Sequence, residues 1–303
     1  MTTGIICALE LLQGKVKDAF LKTDAKALET VNEIRLRNGR YVTVTSGSQD
    51  MLVSADGGFT EHPGCAIVSE SADIEFAFKT AFSYSLHSYS KELAQGYITT
   101  KGGNRVGICG TAVTGTNAGH EVDTIKYVSS INIRIAREKR GCAEKLYKTC
   151  LQSGASNILI IGPPSSGKTT LLRDVARLLG SHMKISLIDE QNEISFTFRN
   201  QAQNDVGSLT DVFVGYPKHT GISTAVRVMS PRAIIADEIG SDEDLEALRY
   251  AVHSGVKLIT AIHGTSYKED LKKRIVRELA DENVFDYAVE LMPGYGYNII
   301  KIV

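Results

Sequence analysis

The chain is poor in cysteine, and the cysteines it has are badly spaced for chemistry. Five occur in 303 residues, at Cys7, Cys65, Cys109, Cys142 and Cys150, and no two form a C-x-x-C pair. That spacing excludes zinc ribbons and thioredoxin-type motifs. The odd count, in a chain this long, points to reduced thiols in a cytosolic protein rather than a disulfide scaffold. No apolar run approaches the roughly 18 residues of a membrane-spanning helix, so no direct membrane insertion is expected. The opening "MTTGIICALE" has no basic segment leading into a long apolar stretch, and no signal peptide is expected. An excess of one charge is also missing: 34 Lys and Arg stand against 35 Asp and Glu. A near-neutral chain argues against a nucleic-acid partner or an anionic membrane as the bulk target. Internal repeats and low-complexity tracts are absent too.

What is present is an ordinary globular balance, 43% hydrophobic and 23% charged, enough for a packed core. The two halves read differently. The first is rich in short strand signals: "YVTVT" (Tyr41–Thr45), "GYITTKGGNRVGICGTAV" (Gly96–Val113) and "INIRIARE" (Ile131–Glu138). A helix with a serine start is expected over Ser71–Phe82, from the spacing of Ile74, Ala77, Phe78, Ala81 and Phe82. This implies a small α+β domain over residues 1–140, followed by a linker and helix over 141–156. From residue 157 onward strands alternate with helices. "NILIIG", "KISLID", "RAIIAD" and "VKLITAIH" are apolar runs without alternation, as in strands buried on both faces. The helices "KTTLLRDVARLLG" and "SDEDLEALRYAVHSG" lie between them, the second opening on a capping box. The expected fold class of 157–303 is α/β, with a mostly parallel sheet and helices on both faces. Three segments read more plainly: Ser83–Ser90 as a helix cap and hydroxylated surface, Tyr267–Leu279 as a basic amphipathic helix, and Met292–Val303 as a turn and closing strand.

The chemistry sits at strand ends. "GPPSSGKT" fits G-x-x-x-x-G-K-[ST], a loop whose glycines let several backbone N–H groups point inward at a polyphosphate. The candidate phosphate-binding residues are Gly162, Pro163, Pro164, Ser165, Ser166, Gly167, Lys168, Thr169 and Thr170, with the Thr169 hydroxyl on Mg²⁺. "AIIADEIG" ends a strand in two acids: Asp237 would hold Mg²⁺ through water and Glu238 would polarise the attacking water. "LIDEQNEI" ends another in Asp189, Glu190 and Glu193. Ligands of open α/β sheets sit beyond the carboxyl ends of the strands, so these acids and the phosphate loop are expected to converge. "KLITAIHG" adds one histidine, His263. No second histidine or cysteine stands at ligand spacing, which leaves a γ-phosphate sensor or a structural histidine.

The order of these motifs resembles the ATPases of type II secretion and type IV pili, P-loop NTPases with a RecA-like core. The pattern "NEIRLRNG", "GGNRVGICG", "INIRIARE", "IIGPPSSGKTTLLRD", "LIDEQNE", "GISTAVRVMSPRAIIADEIG" and "AIHG" is similar to the stage III sporulation protein AA family over Asn32–Gly264. The resemblance implies a RecA-like ATPase domain behind a smaller α+β domain. It implies ATP and Mg²⁺ as ligands, with Asp189, Glu190 and Glu193 in an Asp box, Glu238 as the catalytic glutamate and His263 in a His box. It implies arginines supplied by the first domain, for which Arg105, Arg134 and Arg137 are candidates; Arg227, ahead of the "AIIADE" strand, is another. Each of these could equally be a charged surface residue. It further implies a homo-oligomeric ring, a hexamer, working with membrane channel proteins of a sporulation complex. The location implied is cytoplasmic and peripheral, at the inner face of a membrane on the mother-cell side. The relatives usually carry Gly-Glu where this chain has Asp237-Glu238, so the metal role of Asp237 rests on general P-loop logic. Also, the four-cysteine metal subdomain of many type II ATPases is lacking. The alternatives are a nucleic-acid-dependent RecA-like motor or binding protein, and a scaffold that binds ATP without turning it over.

Overall fold

The structure is a computed structural model describing residues 3–82, 96–114, 122–292 and 296–302. The Ser83–Ser90 segment lies outside these residues. By its internal contacts the chain divides into Met1–Arg137 and Glu138–Val303.

In the first unit three short helices, α1 (Thr3–Leu9), α2 (Gly14–Leu21) and α3 (Ala25–Thr30), precede the strands. These are β1 (Val31–Arg37), β2 (Arg40–Tyr41), β3 (Thr43–Ser46), β4 (Gln49–Val53), β5 (Phe59–Thr60) and β6 (Val68–Ser69), then β7 (Tyr97–Thr99), β8 (Arg105–Thr114) and β9 (Val122–Arg134). Among the described residues the main sheet has the order β5-β4-β3-β1-β9-β8-β7, every neighbouring pair antiparallel. Strand alternation decides its faces: Ile34, Leu36, Ile131 and Ile133 are buried on one, against Phe20, Ile74 and Phe82. Helix α4 (Ser71–Ala81) covers that face. Its start differs in detail from the serine expected: the Asp73 carboxylate caps the backbone N–H of Glu70 at 2.8 Å, one residue ahead of Ser71.

The second unit carries β10 (Ile158–Gly162), β11 (Ile185–Asp189), β12 (Thr210–Val214), β13 (Ala233–Glu238), β14 (Lys257–His263), β15 (Tyr287–Leu291) and β16 (Tyr297–Lys301). The order is β12-β11-β13-β14-β10-β15-β16, parallel except for the antiparallel β15–β16 pair at one edge. Every residue of β10 and β11 is buried, which explains their unbroken apolar sequence. The helices are α5 (Glu144–Leu146), which runs on into a wide turn over Tyr147–Leu151, then α6 (Lys168–Gly180), α7 (Lys218–Val228), α8 (Asp242–His253), α9 (Tyr267–Asp270) and α10 (Arg274–Asp281). One apolar layer joins α5 and α6 to one face of the sheet, and a second joins α7, α8 and α10 to the other.

Apolar periodicity had not marked β12 or α7. The single helix expected over Tyr267–Leu279 is two, because Lys273 is extended and ends the first turn of chain around the buried Asp270 carboxylate, which Lys273 Nζ approaches to 2.9 Å. Residues 141–156, expected as linker and helix, include α5 and contribute to the core of the second unit. Ala143, Leu146, Cys150 and Leu151 are buried in the α6 layer. Asp174 accepts from the Ala143 N–H at 2.7 Å, and the Tyr297 hydroxyl accepts from the Leu146 N–H at 3.1 Å. Leu146→Ala should therefore cost about 2–5 kcal/mol, as deletion of a buried leucine does. Urea denaturation of the intact chain checks this, and a cost below about 0.5 kcal/mol would return the segment to a linker.

Candidate functional site

Strands β10, β11, β13 and β14 run parallel, so their carboxyl ends share one edge. Register sets which residues meet there. Gly162, the first residue of the phosphate loop, stands abreast of His263. On β14, Ile259 and Ala261 face the α6 layer, and His263 follows them in phase. Strand β13 needs a correction of phase. Ile235 is paired with Ile259, yet Glu238 is paired with Ala261, so β13 contains one residue more than its partner. Without that bulge Glu238 would lie beside Ile262, which faces the other layer. The bulge turns it towards α6 and Lys168.

The loop after β10 is held open by backbone geometry. Gly167 has φ +100° at the cap of α6, where a side chain would be strained and none competes for the helix's first N–H groups. Ser165 also takes a positive φ, of +60°. Pro163, Pro164 and Ser165 are exposed; Ser166, Thr169 and Thr170 are half-buried, and the Ser166 hydroxyl is a buried polar atom with no hydrogen-bond partner.

Lys168, only 5% exposed, points back under the loop. Its ammonium donates to the carbonyls of Gly162 (2.8 Å) and Pro163 (2.9 Å), lies 2.9 Å from Glu238 Oε1 and 3.2 Å from His263 Nδ1. His263 Nε2 is 2.6 Å from Glu238 Oε2. A lysine ammonium has only protons to give, so Nδ1 is the acceptor and the network assigns the ring proton to Nε2, donated to Glu238. One carboxylate thus bridges a lysine and a histidine. The turn after His263 is clamped in its turn: Lys273 donates to the His263 carbonyl, Asp270 accepts from the Thr265 N–H at 3.2 Å, and a side chain at Gly264 would run into the Asp270 carboxylate.

The acids after β11 behave differently. Asp189 is fully buried, and its carboxylate accepts from the N–H groups of Glu193 (2.8 Å), Ile194 (3.2 Å) and Ser195 (2.8 Å) and from the Ser195 hydroxyl (2.7 Å). It shapes the loop that presents its neighbours. Glu190 pairs with Lys218 Nζ at 2.8 Å. Asp237 accepts from the Glu238 N–H at 2.6 Å, and burial pushes its carboxyl above the usual range, opposed by that hydrogen bond and by Lys218. The negative charges of Asp189 and Glu193 push it in the same direction as burial.

The arginines expected from the first domain lie on or beside its sheet. Arg105 stacks its guanidinium 5.2 Å from the Tyr97 ring centre, Arg134 is 3.6 Å from Glu33, and Arg137 donates to the Val31 carbonyl at 2.7 Å. Arg227 is exposed in the last turn of α7. Two residues that the sequence reading passed over belong to the site's frame. Lys218 had no signal beyond a position after a proline. Arg173 had one, a consecutive Arg-Asp pair set between the apolar pairs Leu171-Leu172 and Val175-Ala176.

Solved structures show where this architecture occurs. The pilus retraction motor PilT with bound ADP superposes with a TM-score of 0.59 at 15% identity, covering 91% of this chain and 81% of that one. The ATPase DotB of Legionella pneumophila superposes with a TM-score of 0.52 at 14% identity, covering 91% and 77%. The fold class is that of the P-loop secretion ATPases: a parallel α/β domain with a separate N-terminal sheet. The chain itself belongs to the family described as sporulation stage III, protein AA, whose model matches residues 7–296. Stage III sporulation protein AA of Bacillus subtilis (strain 168) is 35% identical over 293 residues, 95% of this chain and 91% of that protein.

Asp189→Asn puts an NH₂ group against a ring of N–H donors. It should lower stability by about 2 kcal/mol, as expected when a buried, charge-assisted set of hydrogen bonds loses its acceptor. Denaturant titration reads the change, and an unaltered midpoint would mean that the carboxylate does not hold this loop.

Proposed function

We propose that this protein is a Mg²⁺-dependent ATP hydrolase, working as a ring motor that energises a sporulation-specific secretion or feeding channel between mother cell and forespore. The observation that carries the reading is the meeting of Lys168, Glu238 and His263 at the mouth of the Gly162–Thr169 loop. Family membership and a secretion-ATPase fold support the same conclusion.

The residues present suit a nucleoside triphosphate. The open N-terminus of α6, the Lys168 ammonium and the unpartnered Ser166 hydroxyl form a donor set for phosphate oxygens. The Thr169 hydroxyl and the Asp237 carboxylate are the groups that would hold Mg²⁺, which when bound neutralises charge on the phosphate oxygens. Lys168 exchanges its carbonyl and carboxylate contacts for phosphate. Glu238, released from Lys168, accepts a proton from the attacking water in a direct in-line displacement with no covalent enzyme intermediate. His263, hydrogen-bonded to both Lys168 and Glu238, senses whether the γ-phosphate is present and passes that state to the Gly264–Asp270 turn it leads into. Glu190 and Lys218 set the charge beside the site, Asp189 holds the loop that follows Glu190 in place, and Arg105, Arg134 and Arg137 are candidates for compensating transition-state charge. No helix among the described residues is long and apolar enough to cross a membrane. The reading places the protein in the cytoplasm, docked on channel proteins at the membrane face of the mother cell.

Glu238→Gln should keep binding of an ATP analogue and lose turnover by about 10²-fold or more, the scale of a general base. His263→Ala should keep some turnover and lose the response of assembly to nucleotide. Wild-type hydrolysis by the Glu238 variant would overturn the assignment. A mass measurement with and without a non-hydrolysable ATP analogue should show a ring with the analogue bound; a monomer throughout, even with membrane partners added, would count against a ring motor.

A further inference from the structure

We infer that Arg173 is a positioning residue that ties the loop after β11 to the phosphate-loop helix, so that Glu190 and Glu193 move with α6. The inference rests on the ATPase reading above. Arg173 lies in the second turn of α6, the helix that Lys168 opens, and is 7% exposed. Its guanidinium Nε donates to the Ile194 carbonyl at 2.8 Å and an Nη donates to the Glu193 carbonyl at 2.6 Å. The guanidinium stacks 5.1 Å from the Phe196 ring centre. Burial lowers its pKa, opposed by the charges of Glu138, Asp189 and Glu193 nearby.

The same short loop is therefore gripped twice. Asp189 takes its N–H groups and Arg173 takes its carbonyls. Asn204 adds a third hold, donating from its side-chain amide to the Ile194 carbonyl at 2.7 Å. Buried carbonyls need a donor of some kind, and a water or an amide could serve. A fork from α6 does something else as well: it makes the loop a passenger of the helix whose first turn faces the phosphates. The passengers are acidic. Glu190 is paired with Lys218, and Glu193 gives its N–H to Asp189 and its carbonyl to Arg173. A shift of α6 on phosphate binding thus reaches this acidic loop through one side chain. Lysine cannot replace it fully, because two successive carbonyls need the planar fork of a guanidinium.

The test uses the full chain, wild type, Arg173→Lys and Arg173→Gln. Three readouts are taken: ATP turnover, affinity for a non-hydrolysable ATP analogue, and amide hydrogen exchange at residues 168–171 and 193–195. In the wild type the analogue should protect both segments together. In the variants it should protect 168–171 only, with kcat down about tenfold or more and analogue affinity within about threefold. Lysine should recover part of kcat. Coupled protection that persists in the variants, or turnover and affinity falling in equal measure, would overturn the inference. Should neither variant fold, the wild type decides: protection of 168–171 without 193–195 overturns it. A wild type that binds the analogue without hydrolysing it sinks the ATPase reading and leaves the exchange comparison to judge Arg173. A wild type that does not bind the analogue removes both.

Discussion

One extra residue near the end of β13 governs how the site is built. Parallel strands carry their side chains to alternating faces, and the face is a property of register. Ile235 is in step with Ile259, and two residues later on β14 the partner is Glu238, not Asp237. The bulge sends the Glu238 carboxylate to the α6 layer, where Lys168 and His263 already stand, and leaves Asp237 buried with its charge capped by the next N–H. Had the strands stayed in step, the carboxylate would point into the apolar layer of α7 and α8, where an unpaired charge is costly.

Around that carboxylate the site is made of groups that share donors and acceptors. Lys168 serves two carbonyls, a carboxylate and a ring nitrogen, and His263 is oriented by donating to the carboxylate that the lysine also contacts. A phosphate arriving at the mouth of the loop competes for the lysine and so alters both other members. The loop after β11 is a second, separately braced body: Asp189 from the strand and Arg173 from the helix each satisfy one side of its main chain. Buried polar backbone forces such bracing, because every N–H and carbonyl withdrawn from water needs a partner.

Much of this was legible in the chain. Unbroken apolar runs between helical segments marked β10, β11, β13 and β14, and acids, glycines and one histidine at their ends marked the edge where a ligand would sit. In the first unit the runs Tyr41–Thr45, Gly96–Val113 and Ile131–Glu138 marked β3, the β7–β8 hairpin and the end of β9, while α1–α3, β1, β4, β5 and β6 went unmarked by periodicity. In the second unit periodicity did not disclose β12 or α7, whose residues are mostly half-buried and so carry a weak pattern. Nor did it show the break at Lys273, which depends on a buried carboxylate from the preceding turn. Residues 141–156 read as linker and helix from their charge and spacing, whereas the burial of Ala143, Leu146 and Leu151 in one cluster with α6 residues is not visible in the sequence.

By itself the sequence determined the site-bearing strands β10, β11, β13 and β14, the helices α6 and α8 and the candidate chemistry: local backbone preferences and hydrophobic spacing are short-range properties, readable residue by residue. The tertiary structure alone decided which carboxylate faces the lysine, which acid braces a loop, and that an arginine inside α6 reaches across to hold it. Those outcomes depend on register, on one bulge, and on main-chain groups of residues distant in the chain competing for the same donors, and no local pattern encodes them.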